Sequence, residues 1–209
     1  MNRLSYKKIF HYLIILSSFL GIVLNLIYEN FSLGSFRYFT HLSNLFILVV
    51  YLIMIFKPKS NSKIFMLVKY QAVVAIVLTG IVYNLLLRPT ISNPDYEVNT
   101  FIDLLVHTIT PLLVIIERIL FSKRKVIKPI YSIYWLTFPL FYYFYILMYS
   151  FSGGIFHEGT SYESKYPYFF LDIENNGFGF FIIVIILILL VGLITYYLNN
   201  KLPKKLGDK

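Results

Sequence analysis

The chain has 209 residues, of which 58% are hydrophobic and 14% are charged, whereas a soluble domain has about 45–50% apolar and about 25% charged residues. This composition predicts a membrane protein, and the length leaves room for one helical bundle over residues 1–209 without a separate soluble domain. The net charge of +9 does not indicate nucleic-acid binding, because the basic residues lie at the ends of apolar runs, and the lack of cysteine excludes disulfides and a cysteine nucleophile.

Apolar runs of about 20 residues follow one another along the chain, and each is long enough to cross a bilayer as a helix. They cover residues 9–28, 37–56, 64–87, 99–121, 130–150 and 177–198. The first run follows basic residues but has no small-residue cleavage site, so we interpret it as a retained helix rather than a signal peptide. The sequence predicts an all-α, polytopic membrane protein with six transmembrane helices.

Basic residues alternate between the loops in a way that predicts the topology. Fourteen Lys and Arg residues lie in the N-terminus and in residues 57–63, 122–129 and 201–209. Only two lie in the other loops, at residues 29–36, 88–98 and 151–176. Because cytoplasmic loops carry the excess of Lys and Arg, we predict a multi-pass protein of the cell membrane with both termini in the cytoplasm.

The second span begins with polar residues on a single helical face. Thr40, Ser43 and Asn44 have the spacing i, i+3 and i+4 and follow Arg37 at the start of the span. Such a face is unsuited to lipid. It is explained either by hydrogen bonds between helices or by a functional site near the outer surface.

The fourth span carries Asp103, His107 and Pro111 on one face, at i, i+4 and i+8. A histidine accepts protons near neutral pH, so His107 is the best candidate for a general base, and Asp103 one turn away would orient its ring. The alternative is a histidine that is satisfied by a backbone carbonyl. Pro111 is expected to kink the helix and open space beside His107.

The remaining histidines and charged residues do not indicate a further site. None of the four histidines, which are His11, His41, His107 and His157, pairs with another at the i, i+4 spacing of a helical zinc site. A metal is therefore a weak alternative, and we expect no metal and no cofactor. Glu117 and Arg118 are expected to lie at the membrane interface.

Aromatic residues crowd the fifth span and the loop that follows it. Tyr142, Tyr145 and Tyr149 share a face at i, i+3 and i+7 and are expected to bring phenol groups into the outer half of the bundle, although most of the aromatics there serve packing. The loop is too apolar for a solvated linker, so we expect it to fold back as a cap. Its cap residues are Tyr166, Pro167, Phe170 and Asp172, the last of which is expected to bond to Arg37 or to a helix end.

Three motifs in this order resemble the bacterial branch of the androgen-induced protein family. They are Arg-Tyr-Phe-Thr-x-x-Ser-Asn from Arg37 to Asn44, His-x-x-x-Pro from His107 to Pro111, and Tyr-Pro-x-x-Phe-x-Asp from Tyr166 to Asp172. The resemblance covers nearly the whole chain. It implies a six-helix membrane hydrolase in which a threonine nucleophile and a histidine cleave fatty acid esters of hydroxy fatty acids.

The matching positions are Thr40 as the nucleophile and His107 as the base. Ser43, Asn44 or a tyrosine hydroxyl such as that of Tyr145 would then supply oxyanion donors. The expected partners are a lipid ester substrate and bilayer lipids, with the site toward the outer leaflet and no nucleic acid. Two alternatives remain open, a non-enzymatic lipid-binding or sensing protein and a transporter.

Overall fold

The structure is a computed structural model that describes residues 3–57, 62–90, 100–121, 130–158 and 163–200. The regular structure within these ranges is helical. Within these ranges the extended structure is limited to one isolated antiparallel bridge between Phe156 and Ser164. The predicted all-α class is confirmed.

The first four apolar runs form five helices, because a π-turn divides the fourth run. They are α1 (Arg3–Tyr28), α2 (Phe39–Phe56), α3 (Lys63–Val82), α4 (Thr100–Leu104) and α5 (Thr110–Phe121). A π-turn over Tyr83–Leu87 extends α3, and another over Leu105–Ile109 joins α4 to α5. A π-turn widens the helix by one residue, and such turns are frequent at functional sites.

The fifth predicted span is broken into two helices. They are α6 (Ile130–Trp135) and α7 (Thr137–Phe151). Pro139 has no amide to bond to the carbonyl of Trp135, which explains why the helix breaks at Leu136. The short α8 (Ile173–Asn176) then leads into α9 (Phe178–Asn200), which corresponds to the sixth predicted span.

Four helical segments of the described chain are long and apolar enough to cross a membrane. They are Leu4–Tyr28, Phe39–Phe56, Lys63–Leu87 and Thr100–Phe121. Helix α9 contains a shorter apolar stretch, Phe181–Tyr197. The side chains on the outer faces of α1 and α9 are large, apolar and exposed, as expected for helices in contact with lipid.

Helix α3 lies at the centre of the bundle, where it packs against α2, α5, α6, α7 and α9. Its middle residues from Ala72 to Ile76 are almost completely buried. Near its end, a Cβ atom on Gly80 would lie only 2.7 Å from Cβ of Pro111. The glycine therefore permits the close approach of α3 to the helix that carries His107.

Glu117 and Arg118, which are predicted to lie at the membrane interface, are buried within the helix bundle. Glu117 is 1% exposed, and its carboxylate oxygens lie 3.2 Å from His11 Nε2 and 3.2 Å from the hydroxyl of Tyr51. The guanidinium of Arg118 lies over the Tyr70 ring, 4.8 Å from its centroid. Helices α1, α2, α3 and α5 together enclose these charges, which sequence spacing alone does not show.

Candidate functional site

The structure brings Thr40 and His107 into hydrogen-bond contact. Thr40 is the second residue of α2, and His107 lies in the π-turn between α4 and α5. Thr40 Oγ1 is 3.0 Å from His107 Nε2, although the two residues are 67 positions apart in the chain. This distance lets the imidazole accept the hydroxyl proton directly.

Asp103 is placed on the other ring nitrogen of the same histidine. Its Oδ1 lies 2.8 Å from His107 Nδ1 across one helical turn. A carboxylate at this position holds a proton on Nδ1 and leaves Nε2 free to accept. The side chains of His107 and Asp103 are 15% and 17% exposed, so the pair is largely shielded from solvent.

The His-x-x-x-Pro spacing has a direct structural consequence. Pro111 has no backbone amide, so it cannot donate to the carbonyl of His107 four residues earlier. The amide of Asn84 fills this position, since its Nδ2 donates to the His107 carbonyl at 3.1 Å and to the Gly80 carbonyl at 2.9 Å. Asn84 thereby links the end of α3 to the backbone of the candidate base.

Tyr83 covers one face of the His107 ring. The ring centroids are 3.7 Å apart, and the planes are inclined by only 11°. Stacking against an aromatic ring restricts the orientation of the imidazole, so Tyr83 helps to hold His107 in place. No spacing in the sequence relates Tyr83 to the fourth span, so this contact could not be predicted.

The side chains of Ser43 and Asn44 donate hydrogen bonds within the helix bundle. The Ser43 hydroxyl donates to the Thr40 carbonyl at 2.9 Å and lies 2.7 Å from Thr79 Oγ1. Asn44 Nδ2 donates to the carbonyls of Thr40 at 2.9 Å and Val106 at 3.0 Å. Both residues are 0% exposed. Their geometry corresponds to hydrogen bonds between helices, and it fixes the first turn of α2 beside the π-turn.

The predicted tyrosine face contacts Arg37 more than it contacts the Thr40–His107 pair. The Tyr142 hydroxyl donates to the Arg37 carbonyl at 3.1 Å. The Arg37 guanidinium hydrogen-bonds to the Tyr149 hydroxyl and lies 5.3 Å from the centroid of that ring. Tyr145 is 39% exposed, with its ring beside those of Tyr142 and Tyr149.

The loop after α7 folds back over the start of α2, and we call residues 152–158 and 163–172 the cap segment. Phe156 and Phe170 are buried in a core that includes Phe39 and Tyr142, and Tyr166 packs against it. Pro167 is also buried. Two weak contacts of His157 hold the cap segment, with Nδ1 3.4 Å from the Tyr38 hydroxyl and Nε2 3.4 Å from the Pro167 carbonyl.

Asp172 bonds to a helix end rather than to Arg37. Its Oδ1 accepts from the backbone amide of Asn175 at 3.1 Å, and its Oδ2 accepts from the side-chain amide of Asn175 at 2.7 Å. Asp172 is thus the N-cap of α8. It fixes the point at which the cap segment joins the last helix.

One residue that contacts Thr40 was not among the predicted site residues. The hydroxyl of Tyr168, in the cap segment, accepts a hydrogen bond from the backbone amide of Phe39 at 3.0 Å. The side chains of Thr40 and Tyr142 lie close enough to this phenol to lower its pKa. Tyr168 lies inside the Tyr-Pro-x-x-Phe-x-Asp motif but at one of its unspecified positions, so the motif gave no reason to select it.

Comparisons with known proteins identify no relative, so a functional assignment rests on the geometry of the site. The chain matches no protein-family model, and no curated protein or solved structure is significantly similar to it. Among the residues that the structure describes, no three His, Cys, Asp or Glu side chains are grouped as a metal site requires.

Proposed function

We propose that the chain is a membrane-embedded lipid ester hydrolase in which Thr40 is the nucleophile, His107 the general base and Asp103 the residue that orients the histidine. The proposal rests on one observation. Thr40 Oγ1, both ring nitrogens of His107 and a carboxylate oxygen of Asp103 form a continuous relay with contacts of 3.0 and 2.8 Å. Nucleophile, base and orienting acid in this order are the arrangement by which hydroxyl groups are activated for acyl transfer.

The reaction would proceed through an acyl-enzyme. His107 Nε2 takes the Thr40 proton while Oγ1 attacks the ester carbonyl, whose oxygen becomes negatively charged. The tetrahedral intermediate then collapses, and the protonated His107 gives its proton to the leaving alcohol. In the second half, His107 activates a water molecule, which hydrolyses the threonine ester and releases the fatty acid.

The surroundings of the relay favour a lipid substrate. The relay is enclosed by apolar helices, and the cap segment adds an aromatic core above Thr40. An ester with long acyl chains would bury apolar surface there at about 25 cal/mol per Å². The resemblance to the androgen-induced protein family suggests fatty acid esters of hydroxy fatty acids or related long-chain esters as substrates.

The same proposal includes the topology. Helices α6 and α7 together and helix α9 would complete six crossings of the cell membrane, with both termini in the cytoplasm. The excess of Lys and Arg in the cytoplasmic segments, fourteen against two, supports this orientation. The cap segment and the Thr40–His107 pair would then lie toward the outer leaflet.

The direct test is hydrolysis of a panel of long-chain lipid esters by the purified protein in detergent. We expect turnover by the wild type and its loss in Thr40→Ala and His107→Ala, with folding and lipid binding retained. Thr195→Ala is a matched control, because it removes a similarly buried hydroxyl from α9.

Each other result points to a different function. Turnover that survives both substitutions would refute the Thr–His mechanism. A wild type that binds the esters without cleaving them would identify a lipid-binding or sensing protein. Vectorial uptake that persists in Thr40→Ala would identify a transporter.

A further inference from the structure

The hydrolase proposed above needs a donor for the oxyanion, and the cap segment brings one to Thr40. The Tyr168 oxygen lies 3.0 Å from the backbone amide of Phe39, the first residue of α2. Thr40 is the next residue of the helix, and its side chain lies close enough to the phenol to lower its pKa. A carbonyl oxygen whose carbon is bonded to Thr40 Oγ1 would lie within reach of this phenol.

Tyr168 keeps its proton at neutral pH. Burial raises the pKa of Tyr168 to about 12, although the neighbouring Thr40, Tyr142 and Phe39 amide act in the opposite direction. The amide of Phe39 donates to the phenol oxygen, which leaves the phenol proton available for an acceptor. The group is therefore a neutral hydrogen-bond donor that is already positioned before a substrate arrives.

Two of the predicted donors, Ser43 and Asn44, are engaged elsewhere. Ser43 donates to a backbone carbonyl, and the Asn44 amide donates to two of them. Both side chains are 0% exposed and lie within the helix bundle. Turning either one toward a substrate would break buried hydrogen bonds, which contribute about 0.5–1.5 kcal/mol each.

We propose that Tyr168 is the oxyanion donor of the reaction, so that the site is complete only when the cap segment is docked. When the bond from Thr40 Oγ1 to the carbonyl carbon forms, the carbonyl electron pair moves to the oxygen, and the Tyr168 O–H donates a hydrogen bond to it. The Thr40 proton goes to His107 Nε2, and Tyr168 keeps its own proton throughout. Collapse restores the carbonyl, breaks the bond to the alcohol and returns the His107 proton to the alcohol.

Docking of the cap segment then has two effects at once. Its aromatic core, with Phe156 and Phe170, packs against Phe39 at the start of α2, and the exclusion of water there would strengthen each electrostatic interaction. The same segment holds the Tyr168 hydroxyl beside the start of α2, next to Thr40.

The test is Tyr168→Phe, which removes one oxygen and keeps the ring. This inference rests on the proposed hydrolase, so kinetics on a cleaved long-chain ester are measured first. We expect kcat to fall about 10²-fold or more, as for other oxyanion donors, while KM changes by less than about threefold. Tyr143→Phe, which removes a phenol from α7 whose ring lies beside Phe181, should keep the wild-type kcat.

Binding of a long-chain trifluoromethyl ketone gives a second readout. Addition of Thr40 to this ketone creates an oxyanion without turnover. Tyr168→Phe should weaken ketone binding about 10²-fold and leave the affinity for the parent alcohol, which forms no adduct, unchanged. A role of Tyr168 in packing alone would weaken both ligands together and would overturn the inference.

The outcomes separate the two proposals. If the wild type neither cleaves esters nor binds the ketone more tightly than the alcohol, the hydrolase proposal fails and the inference fails with it. If the wild type cleaves esters and Tyr168→Phe retains its kcat, only the role of Tyr168 is refuted. If Tyr168→Phe does not fold, the variant with difluorotyrosine at position 168 is measured instead. The fluorine atoms lower the phenol pKa, so the kcat of this variant should fall as the pH rises through that pKa. A pH profile like that of the wild type would overturn the inference.

Discussion

Replacing Asp103 with asparagine tests whether the carboxylate acts through His107. Asp103 Oδ1 is 2.8 Å from His107 Nδ1, and the centres of the two charges would be about 4 Å apart when the imidazole is protonated in the transition state. At an effective dielectric constant of about 20 this attraction is about 4 kcal/mol, which corresponds to about 10³-fold in rate. Partial exposure of both side chains reduces the value, so we expect kcat to fall by about 10²–10³-fold.

The assay is steady-state hydrolysis of a cleaved long-chain ester, with thermal unfolding measured in the same detergent. KM should stay close to that of the wild type, because Asp103 does not contact the substrate in this mechanism. The control is Glu174→Gln, which neutralises an exposed carboxylate on α8. A kcat for Asp103→Asn within about threefold of the wild type would refute the orienting role.

Three further predictions concern the supports of the site and the topology. Asn84→Ala frees the His107 carbonyl, so kcat should fall about 10-fold together with the melting temperature; unchanged kinetics would exclude this support. Glu117→Ala leaves buried cationic and polar partners uncompensated, so the free energy of unfolding should fall by about 3–5 kcal/mol, against less than about 0.5 kcal/mol for the exposed Glu158→Ala. Because the chain has no cysteine, an impermeant maleimide should label Glu158→Cys in intact cells and Lys57→Cys only after permeabilisation; the reverse pattern would contradict the topology.

Local periodicity was sufficient to predict the helices and part of the site. The spacing of Asp103 and His107 placed them on one face of a helix, and the structure joins them by a hydrogen bond across one turn. The polar face of Thr40, Ser43 and Asn44 was predicted in the same way, and all three are buried. These predictions succeed because a contact between residues i and i+4 depends only on the helix geometry.

Contacts between distant segments could not be predicted from spacing. Tyr83 and Tyr168 reach the relay from the end of α3 and from the cap segment, and no period connects them to α2 or α4. The burial of Glu117 likewise depends on α1 and α2 closing around α5. The break at Leu136 was missed because a proline within an apolar run does not by itself show whether a helix bends or ends.

The most direct test of the central claim is covalent labelling of the purified protein with a long-chain fluorophosphonate, followed by peptide mass spectrometry. The reagent transfers its phosphonyl group to an activated hydroxyl and releases fluoride. We predict a single adduct on Thr40, which disappears in Thr40→Ala and forms much more slowly in His107→Ala. An adduct on another residue, or no adduct on a protein that still cleaves esters, would contradict the assignment of Thr40 as the nucleophile.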